Sequence, residues 1–403
     1  MKLKNSKYNL LHLSNTAGKF GGGISEVVHS IINYQILNIK NIQLWFHGNN
    51  ADFEYVKSKN LISKSKIHLI PKYIGLKVII KLIKFHLNDD LKIIHQHGTF
   101  MPLSILSIFL NKGTKFIVNP HGLLEPEKFK RSPIKKRIAL KLYEKANIKR
   151  SHCIVACSGK EALSLKKMFP KKPISIIPNG VHEEMINEKI NDIEIFNYKK
   201  KYSIPIDKKV LLFLSRIHPW KGLILLINTI VKIQNEFRKN NWIFLIVGSN
   251  EQNHLNDINS IINKNKINDI VYVIGPQYAR NKIITYELSN CYILPSKGEN
   301  FGITVIEALS RSKPVITTTK TPWSDLIKFN CGWWIERNSF EFERILLELL
   351  VSNNDQLKKM GENGKKLVLK KYTWSKVTLQ FEKLYSWVCN NNDNRHKKDL
   401  NII

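Results

Sequence analysis

The sequence predicts an α/β protein built from two doubly wound parallel sheets, each covered by helices on both faces. Three observations carry that expectation. Short β-branched apolar runs alternate with amphipathic runs, and the apolar runs are near-continuous, as strands buried on both faces require. The alternation occurs twice, on either side of a polar stretch. With 403 residues, the chain is long enough for two or three domains that each bury a core.

In the first half the strand-like runs are YNLLHLS, IQLWF, LKIIHQ, TKFIVNP, HCIVAC and ISIIP. Between several of them, ISEVVHSIINYQIL and IKKRIALKLYEKANI carry the helical period. In the second half the strands are KVLLFLS, NWIFLIVG, IVYVIG, CYILPS and KPVITT, with GLILLINTIVKIQNEF, ITVIEALSR and FERILLELLV as helices. The break is expected in the polar stretch after IIPNGV, which gives a first domain over 1–190 and a second over 191–373. YTWSKVTLQFEKLYSWV supplies a last helix over 374–390, and the polar tail over 391–403 is expected to fray. Ligands of doubly wound sheets sit beyond the carboxyl ends of strands. The site is therefore expected in a cleft between the two sheets, on residues that directly follow strands.

There are 64 Lys+Arg against 32 Asp+Glu, a formal net charge of +32. That excess suits a polyanionic partner such as nucleic acid, a phosphorylated ligand or an anionic membrane. The lysines are scattered along the whole chain, so composition bias reads equally from much of it. MKLKNSKYNLLHLS has no long apolar core and does not read as a signal peptide. PLSILSIFL and LKVIIKLIKFHL are too short, or carry too much Lys, to span a bilayer. The expectation is a cytoplasmic protein, or one held on the cytosolic face of a membrane. Cys153, Cys157, Cys291, Cys331 and Cys389 form no CxxC pair and are odd in number, so buried free thiols are expected.

The most informative stretch is GENFGITVIEALSRSKPVI, which follows the strand CYILPS. Helix geometry is expected to begin near Phe301 or Gly302, with the free N–H groups of Gly302, Ile303 and Thr304 aimed outward for an anion. Glu307, just over a turn into the helix, can accept hydrogen bonds from two ribose hydroxyls. Glu299, before the helix, can accept hydroxyls from another part of the ligand. Two polyol-binding acids flanking a phosphate-binding turn describe a sugar nucleotide. On spacing alone, a capping acid and an ordinary helical Glu read as well.

In FLSRIHPWKGL, Arg216 follows a strand and Lys221 precedes a helix, so the two cations can clamp a diphosphate. In SNTAGKFGGGISEVVH, Gly22 and Gly23 open a helix where backbone N–H groups can approach phosphate or sugar, although a flexible loop reads equally well there. IIHQHGTF ends a strand with His95, His97 and Gly98, and IVNPHGLLEP ends one with Asn119, His121 and Gly122. No HExxH or nearby carboxylate pattern accompanies these histidines, so no metal is expected. A neutral His offering one ring N–H to a sugar hydroxyl fits better.

GENFGITVIEAL resembles the E-x7-E motif of the family 4 retaining glycosyltransferases, which have the GT-B fold. The GGG loop, HQHG, NPHGLLEP, SGKEA, IIPNGV, SRIHPWKG and ITTTKTPWSDL followed by CGWWI resemble the same family in matching order. The likeness runs from about residue 8 to 388 and is nearest to bacterial enzymes of O-antigen and capsule assembly. It implies two Rossmann-like domains, acceptor-binding then donor-binding, with the last helix returning to the first. It also implies a nucleotide-diphosphate sugar donor, with UDP favoured over GDP, and neither a metal nor another cofactor. Glu307 would hold the ribose and Glu299 the donor sugar. Arg216 and Lys221 would bind the diphosphate, with backbone around Asn300, Phe301, Gly302, Ile303 and Thr304. His121 would lie near the transferred sugar, and Gly22, Gly23, His97 and Asn119 along the acceptor side. Asn300 and Trp220 depart from the commoner pattern and leave the donor base and sugar open.

A retaining mechanism is expected, with the acceptor hydroxyl attacking the face the diphosphate leaves. GLKVIIKLIKFHL sets Lys77, Lys81 and Lys84 on one stripe, and KKRIALKLYEKANIKR is also basic and amphipathic. Both suggest that the first domain rests on an anionic membrane, peripheral to the inner membrane, and meets a lipid-diphosphate-linked saccharide. Lysine-rich outer faces of ordinary helices read as well. The rival functions are an epimerase or glycoside hydrolase on the same scaffold, and a nucleic-acid-binding protein. Against the last, no RNP-like, zinc-finger or helix-turn-helix signature appears.

Overall fold

A computed structural model describes the protein over residues 8–18, 21–39, 41–58, 66–70, 91–101, 104, 113–125, 133–390 and 400–403. The chain forms two units: Met1–Gly180 with Trp374–Ile403, and Val181–Thr373. The change of unit thus falls at Gly180 and Val181, before the 190/191 junction expected from the sequence.

Unit 1 contains a parallel sheet of seven strands: β1 (Tyr8–Ser14), β2 (Ile42–His47), β3 (Lys66–Ile70), β4 (Leu91–His97), β5 (Lys115–Asn119), β6 (Cys153–Ala156) and β7 (Ile174–Ile176). Their order is β3-β2-β1-β4-β5-β6-β7. Unit 2 contains six: β8 (Lys209–Leu214), β9 (Trp242–Val247), β10 (Val271–Ile274), β11 (Cys291–Leu294), β12 (Val315–Thr318) and β13 (Gly332–Ile335), in the order β10-β9-β8-β11-β12-β13. Every pairing between these strands is parallel. The winding reverses between β1 and β4 in one sheet and between β8 and β11 in the other. Those two switch points are where such sheets leave room for ligands.

Burial on both faces accounts for the unbroken apolar runs. All six residues of β9 are buried, as are Val210–Leu214 of β8. Each large side chain covered this way contributes about 1.5–3 kcal/mol. β3 and β13 lie outside the runs expected from the sequence. Both are edge strands, and the two central residues of β13, Trp333 and Trp334, are only half-buried.

The last helix, Trp374–Cys389, belongs to unit 1, as expected. It buries Val377, Phe381, Leu384, Tyr385 and Val388. Two bonds tie it to the segment around the helix Gly22–Gln35: Gln35 Nε2 to Tyr385 OH at 3.1 Å, and Asn38 Nδ2 to Glu382 Oε1 at 2.9 Å. The end of the tail corrects an expectation. Residues 400–403 are not frayed: Ile402 bridges Ser175 antiparallel, Ile403 N donates to Ile174 O at 2.9 Å, and Leu400 is buried. The tail end thus satisfies backbone groups of β7, which would otherwise be a bare sheet edge.

The basic amphipathic run after β5 is helical over Pro133–Ala139 and Lys145–Arg150, with a π turn at Leu140–Glu144 between them. The stretch carrying Lys77, Lys81 and Lys84 lies outside the described residues. All five cysteines are free, four of them buried and Cys389 half-buried. No helix among the described residues is long and apolar enough to cross a membrane.

Candidate functional site

Unit 2 assembles its candidate site on the loops that follow β8 and β11, the strands flanking its switch point. After β8 the chain makes a short turn at Pro219–Lys221, and Gly222 then opens the helix Leu223–Lys232 with φ 81°. A Cβ on Gly222 would meet Pro295 O at 2.1 Å, so glycine is what lets this loop lie against the one after β11. Trp220 joins the same two loops. Its Nε1 donates to Gly298 O at 2.8 Å, and its carbonyl accepts from Lys297 N at 2.9 Å.

On that frame Lys221 Nζ meets Glu299 Oε1 at 2.6 Å, with the two side chains only 13% and 14% exposed. Ser296 Oγ also donates to Glu299. The helix Ile303–Ser310 begins after Gly302, whose φ is 85°. Among the described residues, no acceptor meets the N–H groups of Ile303 and Thr304, which are half-exposed at the helix start. Trp323 Nε1 holds Phe301 O at 2.6 Å and fixes the turn.

Glu307, inside the helix, is bonded by Lys282 Nζ at 2.5 Å and Tyr286 OH at 2.9 Å. Between the two acids stands Tyr292 of β11, whose OH donates to Thr304 Oγ1 at 2.7 Å. Burial, then the charges of Glu299 and Glu307, push the Tyr292 phenol well above its ordinary value. Burial and Glu307 do the same to Tyr286. Both phenols therefore remain hydrogen-bond donors.

The structure thus brings together Lys221, Glu299, Gly302, Ile303, Thr304 and Glu307. It does not bring Arg216 into that group. Its side chain is 64% exposed and bonds Glu251 through Nη1, 3.0 Å to each carboxylate oxygen. Lys282 and Tyr286 escaped the sequence reading. Their signal was available in GPQYARNKIITYE, where a cation and a phenol stand four apart on a helix that follows a strand. A cavity of about 670 Å3, lined by residues including Arg311, Lys313 and Ser289, opens at the amino ends of β11 and β12 and takes no part in this cluster.

Unit 1 places its candidate residues at its own switch point. Gly22 and Gly23 are exposed at a helix start, with open space where a Cβ would stand. β4 stays extended to its end, so His95 and His97 share one face. β1 lies in register beside it, with His12 opposite His95. These three rings are fully buried. His12 Nδ1 lies 2.9 Å from His97 Nε2, and His97 Nδ1 lies 3.1 Å from His121 Nε2. Gln35 Oε1 meets His12 Nε2 at 2.8 Å, and Tyr385 OH meets His95 Nδ1 at 2.8 Å.

His121 stands after β5 in the left-handed region, at φ 51°, where a non-glycine residue is strained. Two carboxylate or amide groups hold the turn. Asn119 Oδ1 accepts from His121 N at 3.3 Å, and the buried Glu161 accepts from Gly122 N at 2.6 Å and Cys157 N at 2.7 Å. Glu161 belongs to SGKEA, and its role is to clamp the ends of β5 and β6.

Burial lowers His12 to about 4 and His121 to about 3, and holds His95 and His97 well below the usual imidazole range. All four are neutral near pH 7. Nitrogens of His12, His95 and His97 fall within 4.8 Å of one another, a spacing a metal ion can use. The geometry argues otherwise. His12 and His97 stack at 22°, and their facing nitrogens bond each other. No carboxylate among the described residues belongs to the cluster to offset a buried dication.

Two family models match the chain, one after the other. "Glycosyltransferase Family 4" matches residues 21–185 and "Glycosyl transferases group 1" matches residues 194–367. An uncharacterized glycosyltransferase of Methanocaldococcus jannaschii is 26% identical over 374 residues, covering 90% of this chain and 94% of its own. The capsular polysaccharide biosynthesis glycosyltransferase CapM of Staphylococcus aureus is 25% identical over 209 residues, 52% of this chain and 53% of its own. Among solved structures, HepE of Anabaena in complex with UDP superposes with a TM-score of 0.76 at 16% identity, over 94% of this chain and 99% of that one. The fold is the two-domain architecture called GT-B.

Proposed function

The chain belongs to the glycosyltransferases, and from that premise we propose that it moves a hexose-type sugar, with retention of configuration, from a nucleotide-diphosphate sugar to a hydroxyl of a lipid-diphosphate-linked saccharide. The observation that carries this reading is the pairing of Lys221 with Glu299, beside the half-exposed helix start at Ile303 and Thr304 and one turn from Glu307. Cations and N–H groups there suit a diphosphate, and the carboxylates suit the hydroxyls of its two sugars. UDP is favoured over GDP as the nucleotide, which the UDP bound by the similar HepE supports. The likeness to a capsular polysaccharide transferase supports a place in surface polysaccharide assembly.

Unit 2 is the donor half and unit 1 the acceptor half. Lys221 and the N–H groups of Ile303 and Thr304 neutralise the departing diphosphate. Glu307, fixed by Tyr286 and Lys282, accepts the ribose hydroxyls, and Glu299 those of the sugar. Arg216 joins the diphosphate by exchanging Glu251 for it. On the acceptor side stand Gly22, Gly23, His97, Asn119 and His121. The bond from the anomeric carbon to the phosphate oxygen breaks while one to the acceptor oxygen forms on the same face. The acceptor's proton passes to the leaving phosphate oxygen. The protein supplies position and charge rather than a nucleophile.

The test is turnover of UDP-sugars by the full chain, with and without acceptor lipid. Lys221→Ala is expected to lower kcat about 100-fold or more, and Glu307→Ala to weaken donor binding with it. Full activity in both variants sinks the assignment. Sugar release without acceptor dependence would make the protein a hydrolase instead.

A further inference from the structure

We propose that Gln35, His12 and His97 are positioning residues that dictate which ring nitrogen of His121 carries its proton, through one directed chain of hydrogen bonds. The inference rests on the acceptor-side role given to His121 above. The links are Gln35 Oε1 to His12 Nε2 at 2.8 Å, His12 Nδ1 to His97 Nε2 at 2.9 Å, and His97 Nδ1 to His121 Nε2 at 3.1 Å. His121 Nδ1 ends the chain 3.9 Å from Cys157 Sγ.

A neutral imidazole has one N–H and one lone pair. Each ring-to-ring link joins two nitrogens, so one must donate and the other accept. Fixing the proton on His12 therefore fixes it on His97, and then on His121. An imidazolium would break this rule by donating from both nitrogens. Burial keeps these rings neutral, with His12 lowered to about 4 and His121 to about 3.

Gln35 sets the direction. Its Oε1 faces His12, and its Nε2 donates to Tyr385 OH at 3.1 Å. Tyr385 then has its single proton for His95 Nδ1, 2.8 Å away. In this order every ring of the chain is protonated on Nε2, and His121 presents a lone pair at Nδ1 that accepts a substrate hydroxyl. Turning the Gln35 amide reverses every link, and His121 then presents Nδ1–H.

Each order leaves one N–H poorly satisfied, at opposite ends. In the first it is Nε2–H of His95, a fully buried atom with no partner among the described residues. In the second it is Nδ1–H of His121, which among the described residues faces the thiol of Cys157. A ligand oxygen at His121 thus selects one order, and the rings respond as a unit.

The test is long-range 1H–15N correlation on the full chain labelled with 15N-histidine, which separates protonated from bare ring nitrogens. In the wild-type protein, His12, His97 and His121 are expected to carry their protons on the same-named nitrogen. Tyr385→Phe removes a single hydroxyl and releases the Gln35 amide. Gln35→Met removes the amide. In both, His121 is expected to divide between its two tautomers. Unmatched rings in the wild type overturn the proposal. So does a His121 tautomer that is the same in the wild type and both variants. The measurement uses no sugar donor, so its failure leaves glycosyl transfer standing, and a failure of glycosyl transfer leaves it readable.

Discussion

Lys221 and Glu299 form a compact ion pair at the site proposed for the donor. At 2.6 Å and largely buried, each satisfies the other. In the proposed role, a diphosphate would offer the ammonium a stronger partner and a sugar hydroxyl would offer the carboxylate a donor, so the exchange would replace one set of bonds by another. Gly222 sets their distance. Gly222→Ala, at φ 81° and 2.1 Å from Pro295 O, is expected to destabilise unit 2 by about 2 kcal/mol or more in chemical denaturation. The histidines make a second prediction. Their folded pKa values lie below the ordinary 6.5, so the unfolded chain binds more protons as the pH falls through 6.5 towards 4. Tm is therefore expected to decline steadily across that window, and His12→Asn to flatten the decline. That Glu299, Glu307 and Lys221 lie near one another was legible, because Lys221 and Glu299 stand between a strand and a helix and Glu307 lies in the early turns of one. Lys282 was missed although it stands four residues before Tyr286 on a helix after a strand, because its own stretch does not show the bond to Glu307. Arg216 was legible as a cation at a strand exit, but its bond to Glu251 was not.

Elements carry information that single residues do not. In the helix after β5, Ile134, Ile138 and Leu142 are 72%, 52% and 74% exposed, an apolar row flanked by Lys135, Arg137, Lys141 and Lys145. A spacing of four drifts around a regular α-helix, and the wider π turn at Leu140–Glu144 reduces that drift. Such a row with a basic border suits the interface of an anionic bilayer. Leu142→Glu is expected to abolish sedimentation with anionic vesicles and to leave donor turnover in solution unchanged. Equal sedimentation with neutral and anionic vesicles would count against a charged lipid surface. The sequence revealed the amphipathic character of this helix, but the π turn has no sequence signature. β3 and β13 were missed for a related reason: edge strands are incompletely covered and need no continuous apolar run.

At the scale of the molecule, two series of alternating runs became two doubly wound sheets, because strands buried on both faces have few other arrangements. The end of the tail, residues 400–403, defied expectation because polar composition says nothing about backbone bonds, and residues 391–399 lie outside the described residues. Leu400→Asp is expected to loosen residues 400–403 from β7 and raise self-association, measured by light scattering. The last helix has a further consequence. Unit 1 is discontinuous, since Trp374–Cys389 follows all of unit 2 in chain order. On the ribosome, Val181–Thr373 emerges as one continuous segment, whereas unit 1 is complete only once Trp374–Cys389 has followed it. The apolar side chains that await Phe381, Leu384 and Val388 stay uncovered until Trp374–Cys389 has been made, an interval in which exposed apolar surface favours aggregation.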